Sequence, residues 1–173
     1  MATHTALVSI MCEDRPGLIA DVAGRLYELG INLGDTTFAV LGSGAKLTLV
    51  AKLPEDITIA DVEEDLRSMP VLPGADVEVA PFAFRETHDQ SAQITHRIEI
   101  TGDDSPGLIA RLSEALRPMG ANIVELNSES VPGAARFLLR MAISVPKGKE
   151  AVCMSTIANT AGQMNLSCKW EQV

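Results

Sequence analysis

The seven residues DRPGLIA at positions 14–20 return as DSPGLIA at positions 104–110. Sliding the chain by the same offset extends the match. Asp14, Pro16, Gly17, Leu18, Ile19, Ala20, Leu26, Gly30 and Asn32 meet Asp104, Pro106, Gly107, Leu108, Ile109, Ala110, Leu116, Gly120 and Asn122. The offset exceeds the period of a solenoid, about 20–50 residues, and suits a duplicated small domain. A chain of 173 residues has room for two. The polar stretch RETHDQSAQ, residues 85–93, lacks an apolar period and is the expected linker. The expected domains are therefore residues 1–84 and 94–173.

Each copy predicts the same order of elements. In ITHRIEIT, Ile94, Ile98 and Ile100 alternate with Thr95, Arg97, Glu99 and Thr101, the period of a half-buried strand. A helix follows. Leu18, Ile19, Val22, Leu26 and Leu29 form its apolar stripe, matched by Leu108, Ile109, Leu112, Leu116 and Met119. Pro16 and Pro106 fit the first helical position, Ser105 fits an N-cap, and Gly30 and Gly120 fit the left-handed residue past the helix end. Pro118 is expected to interrupt the last turn of the second copy's helix, where the first copy has Glu28. Two strands follow, turning at Gly42-Ser43-Gly44 and at Pro132-Gly133. Second helices are expected over 58–69 and 148–162, and closing strands in DVEVAPF and MNLSCKW. The order β-α-β-β-α-β is the ferredoxin-like, split-βαβ arrangement of the α+β class: an antiparallel four-stranded sheet with two helices on one face.

This order, with D-x-P-G-L-I-A at the first strand-to-helix turn and G-x-N following the helix, resembles the ACT domain in two tandem copies. The stretch DRPGLIADVAGRLYELGINLGDTTFAVLG is most similar to the first half of glycine cleavage system repressor-type proteins, which are tandem ACT proteins without a catalytic domain. The resemblance implies a regulatory module that binds an amino acid such as glycine or serine and needs no cofactor. It also implies a ligand lying between two copies, with Asp14 or Asp104 opposite Asn122 or Asn32.

The residues themselves supply a chemistry for that ligand. Asp14 precedes a helix whose first N–H groups, near Gly17, Leu18 and Ile19, lack internal partners and attract a carboxylate. The Asp14 carboxylate suits an ammonium group, and Gly17 leaves the approach unobstructed. Asn32, entering the second strand, offers a donor and an acceptor. The candidate ligand-binding set is Asp14, Arg15, Gly17, Leu18, Ile19 and Asn32, with Asp104, Ser105, Gly107, Leu108, Ile109 and Asn122 in the second copy. A structural reading stands beside it. In that reading the aspartates satisfy turn N–H groups, the glycines let helix and strand pack closely, and the asparagines tolerate an unusual backbone angle. The copies also differ: Cys12 faces Gly102 in the comparison, and Arg15 faces Ser105, so the two turns are not expected to be equivalent.

Other classes fit less well. A net charge of -9, with one Tyr, one Trp and four Phe, does not suit direct nucleic-acid binding or an anionic membrane. Cys12, Cys153 and Cys168 make no CxxC and point to neither a disulfide framework nor a metal chaperone. His4, His88 and His96 are scattered, and His96 reads as a hydrogen-bonded residue at the core edge, not as a metal ligand. No base, nucleophile and oxyanion set can be drawn, so no enzyme and no metal are expected. Met11, Met69, Met119, Met141, Met154 and Met164 read as core filler, and DVEEDLR as a solvated helix face. With no signal-peptide pattern or membrane span in the sequence, a soluble cytoplasmic protein is expected. Residues 1–86 carry six Lys/Arg against 14 Asp/Glu, and residues 87–173 eight against nine. The acidic first half either docks on a basic protein partner, such as a transcription activator, or only aids solubility. The reading is a non-catalytic regulator of amino-acid metabolism, acting through a protein partner as a homo-oligomer, dimeric by expectation. The alternative is an interaction module that modulates a partner enzyme without binding a ligand.

Overall fold

The computed structural model describes residues 4–103, 106–131 and 136–173, leaving aside the side chains of Val131 and Arg136. It divides into two compact units, one ending at Phe84 and one beginning at Arg85. The first unit runs β1 (His4–Glu13), α1 (Leu18–Glu28), β2 (Asn32–Leu41), β3 (Gly44–Leu53), α2 (Ile59–Ser68) and β4 (Asp76–Pro81). The second runs β5 (His96–Asp103), α3 (Leu108–Leu116), β6 (Asn122–Val131), β7 (Arg136–Ser144), α4 (Glu150–Gln163) and β8 (Ser167–Gln172). Both sheets have four antiparallel strands, ordered β2-β3-β1-β4 and β6-β7-β5-β8. The duplication is thus a duplication of the α+β, ferredoxin-like fold.

Alternation along the central strands selects the covered face. Ala6, Val8 and Ile10 of β1 are fully buried with Leu18, Val22 and Leu26 of α1 and Val62 and Leu66 of α2. Ile98 and Ile100 of β5 join Leu108, Leu112, Leu116, Cys153 and Ile157 in the same way. Burying one such Leu or Ile contributes about 1.5–3 kcal/mol. The expected apolar stripe needs one correction. Ile19 and Ile109 lie outside it, 46% and 38% exposed, because each is one residue past the buried row Leu18, Val22, Leu26 or Leu108, Leu112, Leu116, turned away from the sheet. Among the methionines, Met141 and Met154 are core, whereas Met11 is 37% exposed, being one residue out of phase with the buried positions of β1.

Helix ends explain much of the local order. Gly30 has φ 73° and closes α1: its N–H bonds to Tyr27 O at 2.9 Å, and the Ile31 N–H to Leu26 O at 3.0 Å. In the second copy Pro118 shortens α3, and Arg117–Met119 continue as one 3-10 turn before Gly120. Asn165 takes the left-handed role after α4, with φ 58°. The closing strand β8 therefore starts at Ser167, later than the stretch MNLSCKW predicts. The first hairpin turns at Gly42-Ser43 as expected, Gly42 supplying the positive φ. The expected turn at Pro132-Gly133 lies outside the described residues.

Candidate functional site: the two glycine turns

Each phrase forms the connection from the first strand of its unit to the first helix. The Asp14 N–H bonds to Ser43 O at 3.0 Å, so the β2–β3 hairpin tip anchors the turn. Pro16 and Gly17 then form the turn, and the helix begins at Leu18. This corrects the placement of Pro16 and Pro106 inside the helix. It also corrects the N-cap, because Gly17 and Gly107 hold that position with φ 88° and 85°. Ser105, the expected cap, and Asp104 lie outside the described residues.

The glycines are needed for backbone shape. A Cβ on Gly107 would meet nothing within 4 Å, and one on Gly17 would meet only Asp21 Oδ2 at 4.0 Å. Close helix–strand packing is therefore not their reason, whereas a φ near 90° is costly for any residue with a Cβ. Asn32 and Asn122 open β2 and β6, and neither has a positive φ. Tolerance of an unusual backbone angle does not explain them.

The turn leaves polar groups facing outward. The first intrahelical acceptor is Gly17 O, which takes the Asp21 N–H at 2.9 Å, so the N–H groups of Ile19 and Ala20 precede the helical ladder. Among the described residues no side chain caps either helix start. Asp14 is exposed, and among the described residues its carboxylate accepts no hydrogen bond. Its structural role as a turn acceptor is not realised. Arg15 reaches across the turn to Asp21, Nη2 to Oδ2 at 3.3 Å, while its Nε is buried without a partner. Ile19 adds an exposed apolar surface beside these groups. In the second copy Gly107 again holds the N-cap, Arg111 N–H bonding to Gly107 O at 2.9 Å, and Arg111 stands where the first copy has Asp21.

Cys12 ends the inward row of β1 just before the turn. Burial pushes its thiol above the usual range, Arg15 acts against that and Asp14 adds to it. Burial likewise raises Cys153 and Cys168. A raised pKa favours the thiol over the thiolate in all three. His96 is 2% exposed, with Nδ1 3.0 Å from Thr95 Oγ1 and its ring 5.9 Å from that of Trp170. That is the hydrogen-bonded position expected of it. Among the described residues no His, Cys, Asp or Glu group is arranged to hold a metal ion, and no helix is long and apolar enough to cross a membrane.

Three features escaped the sequence. Arg25 of α1 bonds Asp65 of α2 through two nitrogens, Nε to Oδ2 at 2.8 Å, so DVEEDLR is partly a helix–helix clamp. Leu166 lies over Gly102, where a Cβ would run into Leu166 Cδ2 and stand 3.3 Å from Leu166 Cα. Asn122 Nδ2 donates to Ser91 O at 2.8 Å, so this amide is engaged inside its own unit, whereas Asn32 is simply exposed.

Comparison with known proteins bears on both turns at once. A family model described as the ACT domain matches residues 4–80 and 97–171. An unknown protein from Galdieria sulphuraria superposes with a TM-score of 0.73 at 23% identity, over 99% of each chain. A candidate glycine cleavage system transcriptional repressor superposes with a TM-score of 0.70 at 14% identity, over 100% of this chain and 99% of its own. At these identities the likeness is one of fold. No curated protein is matched by sequence.

Proposed function

Because the chain belongs to the ACT-domain family through both of its halves, we propose that it is a non-catalytic regulatory protein that senses a small amino acid such as glycine or serine. The observation that carries this reading is the first turn. It sets an Asp14 carboxylate with no hydrogen bond among the described residues beside a helix start that no side chain caps. The two are complementary to an ammonium and a carboxylate on one carbon. In this reading the protein acts in the cytoplasm as a homo-oligomer, and an acidic first half addresses a protein partner such as a transcription activator. Control of glycine cleavage is the pathway to test first.

Melting the protein against each of the twenty amino acids tests the reading. A ligand at 100 times its Kd adds about 2.7 kcal/mol to stability. Asp14→Ala should weaken binding about 10-fold or more, as loss of a charge-assisted hydrogen bond does, while leaving the melting temperature without ligand unchanged. No shift with any amino acid would favour the second reading, an interaction module that modulates a partner enzyme by contact alone. The engagement of Asn122 with Ser91 supports that second reading, since it spends one of the expected ligand contacts internally.

A further inference from the structure

The closing strands β4 and β8 each lie at the edge of their sheet, beside β1 and β5. In an antiparallel ladder, alternate residues turn their backbone groups to the same neighbour. The Phe82 N–H bonds Thr5 O at 2.9 Å, so Val77 and Val79 turn theirs outward from the sheet. The Val173 N–H bonds Thr95 O at 2.9 Å, so Cys168, Trp170 and Gln172 turn theirs outward.

The first of these edges is covered. Arg67 Nη2 donates to Val77 O at 2.7 Å, the Val79 N–H donates to Glu63 Oε2 at 3.3 Å, and the two side chains pair at 2.7 Å. Glu63 and Arg67 each follow a buried residue of α2, Val62 and Leu66. In α4 the buried Cys153 and Ile157 are followed by Met154 and Ala158, which have no polar group to offer an edge. Among the described residues no side chain bonds the outward backbone groups of β8. An open edge is a template for another strand. The edges β2 and β6 each carry a bulge, a feature that turns an edge away from pairing.

The sequence of β8 selects its partner. In an antiparallel pairing of β8 with β8 of a second copy, centred on Trp170, the two Trp170 residues exchange backbone hydrogen bonds. Lys169 then stands opposite Glu171 of the second copy, twice by symmetry. These side chains come closest across the pairing, because their own backbone groups are turned to β5. Within the sheet Lys169 already lies opposite Glu99, and Glu171 opposite Arg97. The pairing therefore extends a row of alternating sign from Glu99 and Lys169 to Glu171 and Arg97 of the second copy. On the helix side it brings together the Trp170 rings, each 51% exposed. The same operation on β4 about Val77 sets Asp76 opposite Glu78, a repulsive pair.

We propose that the open edge of β8 is the docking strand for a second copy of this chain. It supplies a surface for the homo-oligomer of the reading above and does not depend on amino-acid sensing. Six residues a side make a small interface, so concentration controls the dimer.

Sedimentation of the full chain over a concentration series should show a monomer–dimer equilibrium. Lys169→Glu and Glu171→Lys each set like charges opposite one another in both places and should weaken the dimer about 10-fold or more. Mixing the two variants sets opposite charges in both places and should recover a dimer that neither forms alone. Trp170 is the one tryptophan of the chain, so its fluorescence reads the edge in the unmutated protein, whatever the folding of the variants. Its emission should shift to the blue, and amide exchange at Cys168 and Trp170 should slow, as concentration rises. A dimer indifferent to both variants, or one that forms with no change in Trp170 emission, overturns the β8 surface and leaves the homo-oligomer reading intact. Failure of the mixture to recover the dimer overturns the proposed register. A chain that stays monomeric at every concentration overturns both the surface and the homo-oligomer.

Discussion

At the inward position two residues before the turn, the first copy has Cys12 and the second Gly102. The strand across from them starts differently too. Continuing the registers past Met11↔Asp76 and Thr101↔Ser167 sets Ala75 beside Cys12 and Leu166 beside Gly102. One copy fills this corner with two small side chains, the other with one large side chain and none. Cys12 and Ala75 pack on the first core, and Leu166 is buried in the second. The exchange is compensating, a small residue facing the large one, as packed interiors require. It also alters the floor of the turn, a thiol near Arg15 in one copy and a branched alkyl group in the other. Family membership fixes the backbone of both turns, while the side chains beneath them have diverged as a pair.

That pairing predicts the largest effect. Gly102→Cys should destabilise the protein by about 1–3 kcal/mol, the cost of overpacking, because Leu166 occupies the place its side chain needs. Cys12→Gly should cost less, about 1 kcal/mol, since it only removes a half-buried side chain from a strand. The decisive measurement is a double-mutant cycle by denaturant unfolding. In a Leu166→Ala background Gly102→Cys should lose most of its cost, giving a coupling of about 1–2 kcal/mol. Additive effects would show that the corner is not a packed pair.

The second helices carry the comparison to their caps. Thr58 caps α2 in a reciprocal box: its Oγ1 accepts the Asp61 N–H at 3.2 Å, and Asp61 Oδ2 accepts the Thr58 N–H at 2.8 Å. The helix α4 has Lys149 at its N-cap, which makes no side-chain capping bond. The Thr58 side chain, and then its backbone N–H, hold the Asp61 carboxyl below the usual carboxylate range. A folded pKa below the unfolded one gives stability that is present above the unfolded value and lost as pH falls through the folded one. The first unit should therefore loosen at α2 on acidification below about pH 4, and α4 should lack this response. Thr58→Ala should cost about 1 kcal/mol and flatten the acid limb. Amide exchange of residues 59–62 against pH reads both.

The contrast between copies also marks where sequence reasoning reaches. Alternation in β5, the glycines ending α1 and the 3-10 turn after α3, and the shortening of α3 by Pro118 all depend on residues a few positions apart, and all were legible. The turn glycines were found, but close helix–strand packing, one of the reasons read for them, is not their cause. A helix counted from Pro16 hides the left-handed angle at Gly17, because proline and glycine in succession fit a helix start or a turn equally well. Arg25 and Asp65 lie forty residues apart. Neither Leu166 over Gly102 nor Ser91 at Asn122 has a periodic signature. These contacts arise only when the sheet brings remote strands together, and they distinguish one turn from the other. The candidate site was legible as a position in each copy, at the strand-to-helix turn. Its surroundings were not.

The smallest expected difference lies at the helix starts. Asp21 sits in the first turn of α1, where a carboxylate faces the positive end of the helix dipole, and it pairs with Arg15 at 3.3 Å. Arg111 occupies that place in α3, the unfavourable sign for a helix start. Arg15 and Asp21 are 38% and 46% exposed, so solvent screens their attraction and the pair contributes a few tenths of a kcal/mol at most. Asp21→Asn should therefore hardly move the melting temperature. It should act instead on the site, because Arg15 then loses the Asp21 carboxylate that holds its guanidinium across the turn. If the first turn accepts an amino-acid carboxylate, the released Arg15 becomes a further donor and glycine should bind about 2- to 5-fold more tightly, the gain of a partly exposed charge-assisted contact. Arg111→Asp, which gives the second copy the first copy's sign, should change affinity in the opposite direction if that turn also binds. Calorimetry of the two variants at low and physiological salt separates the cases. An effect that vanishes with salt in both would mean only long-range charge, and an effect confined to Asp21→Asn would place the ligand at the first turn.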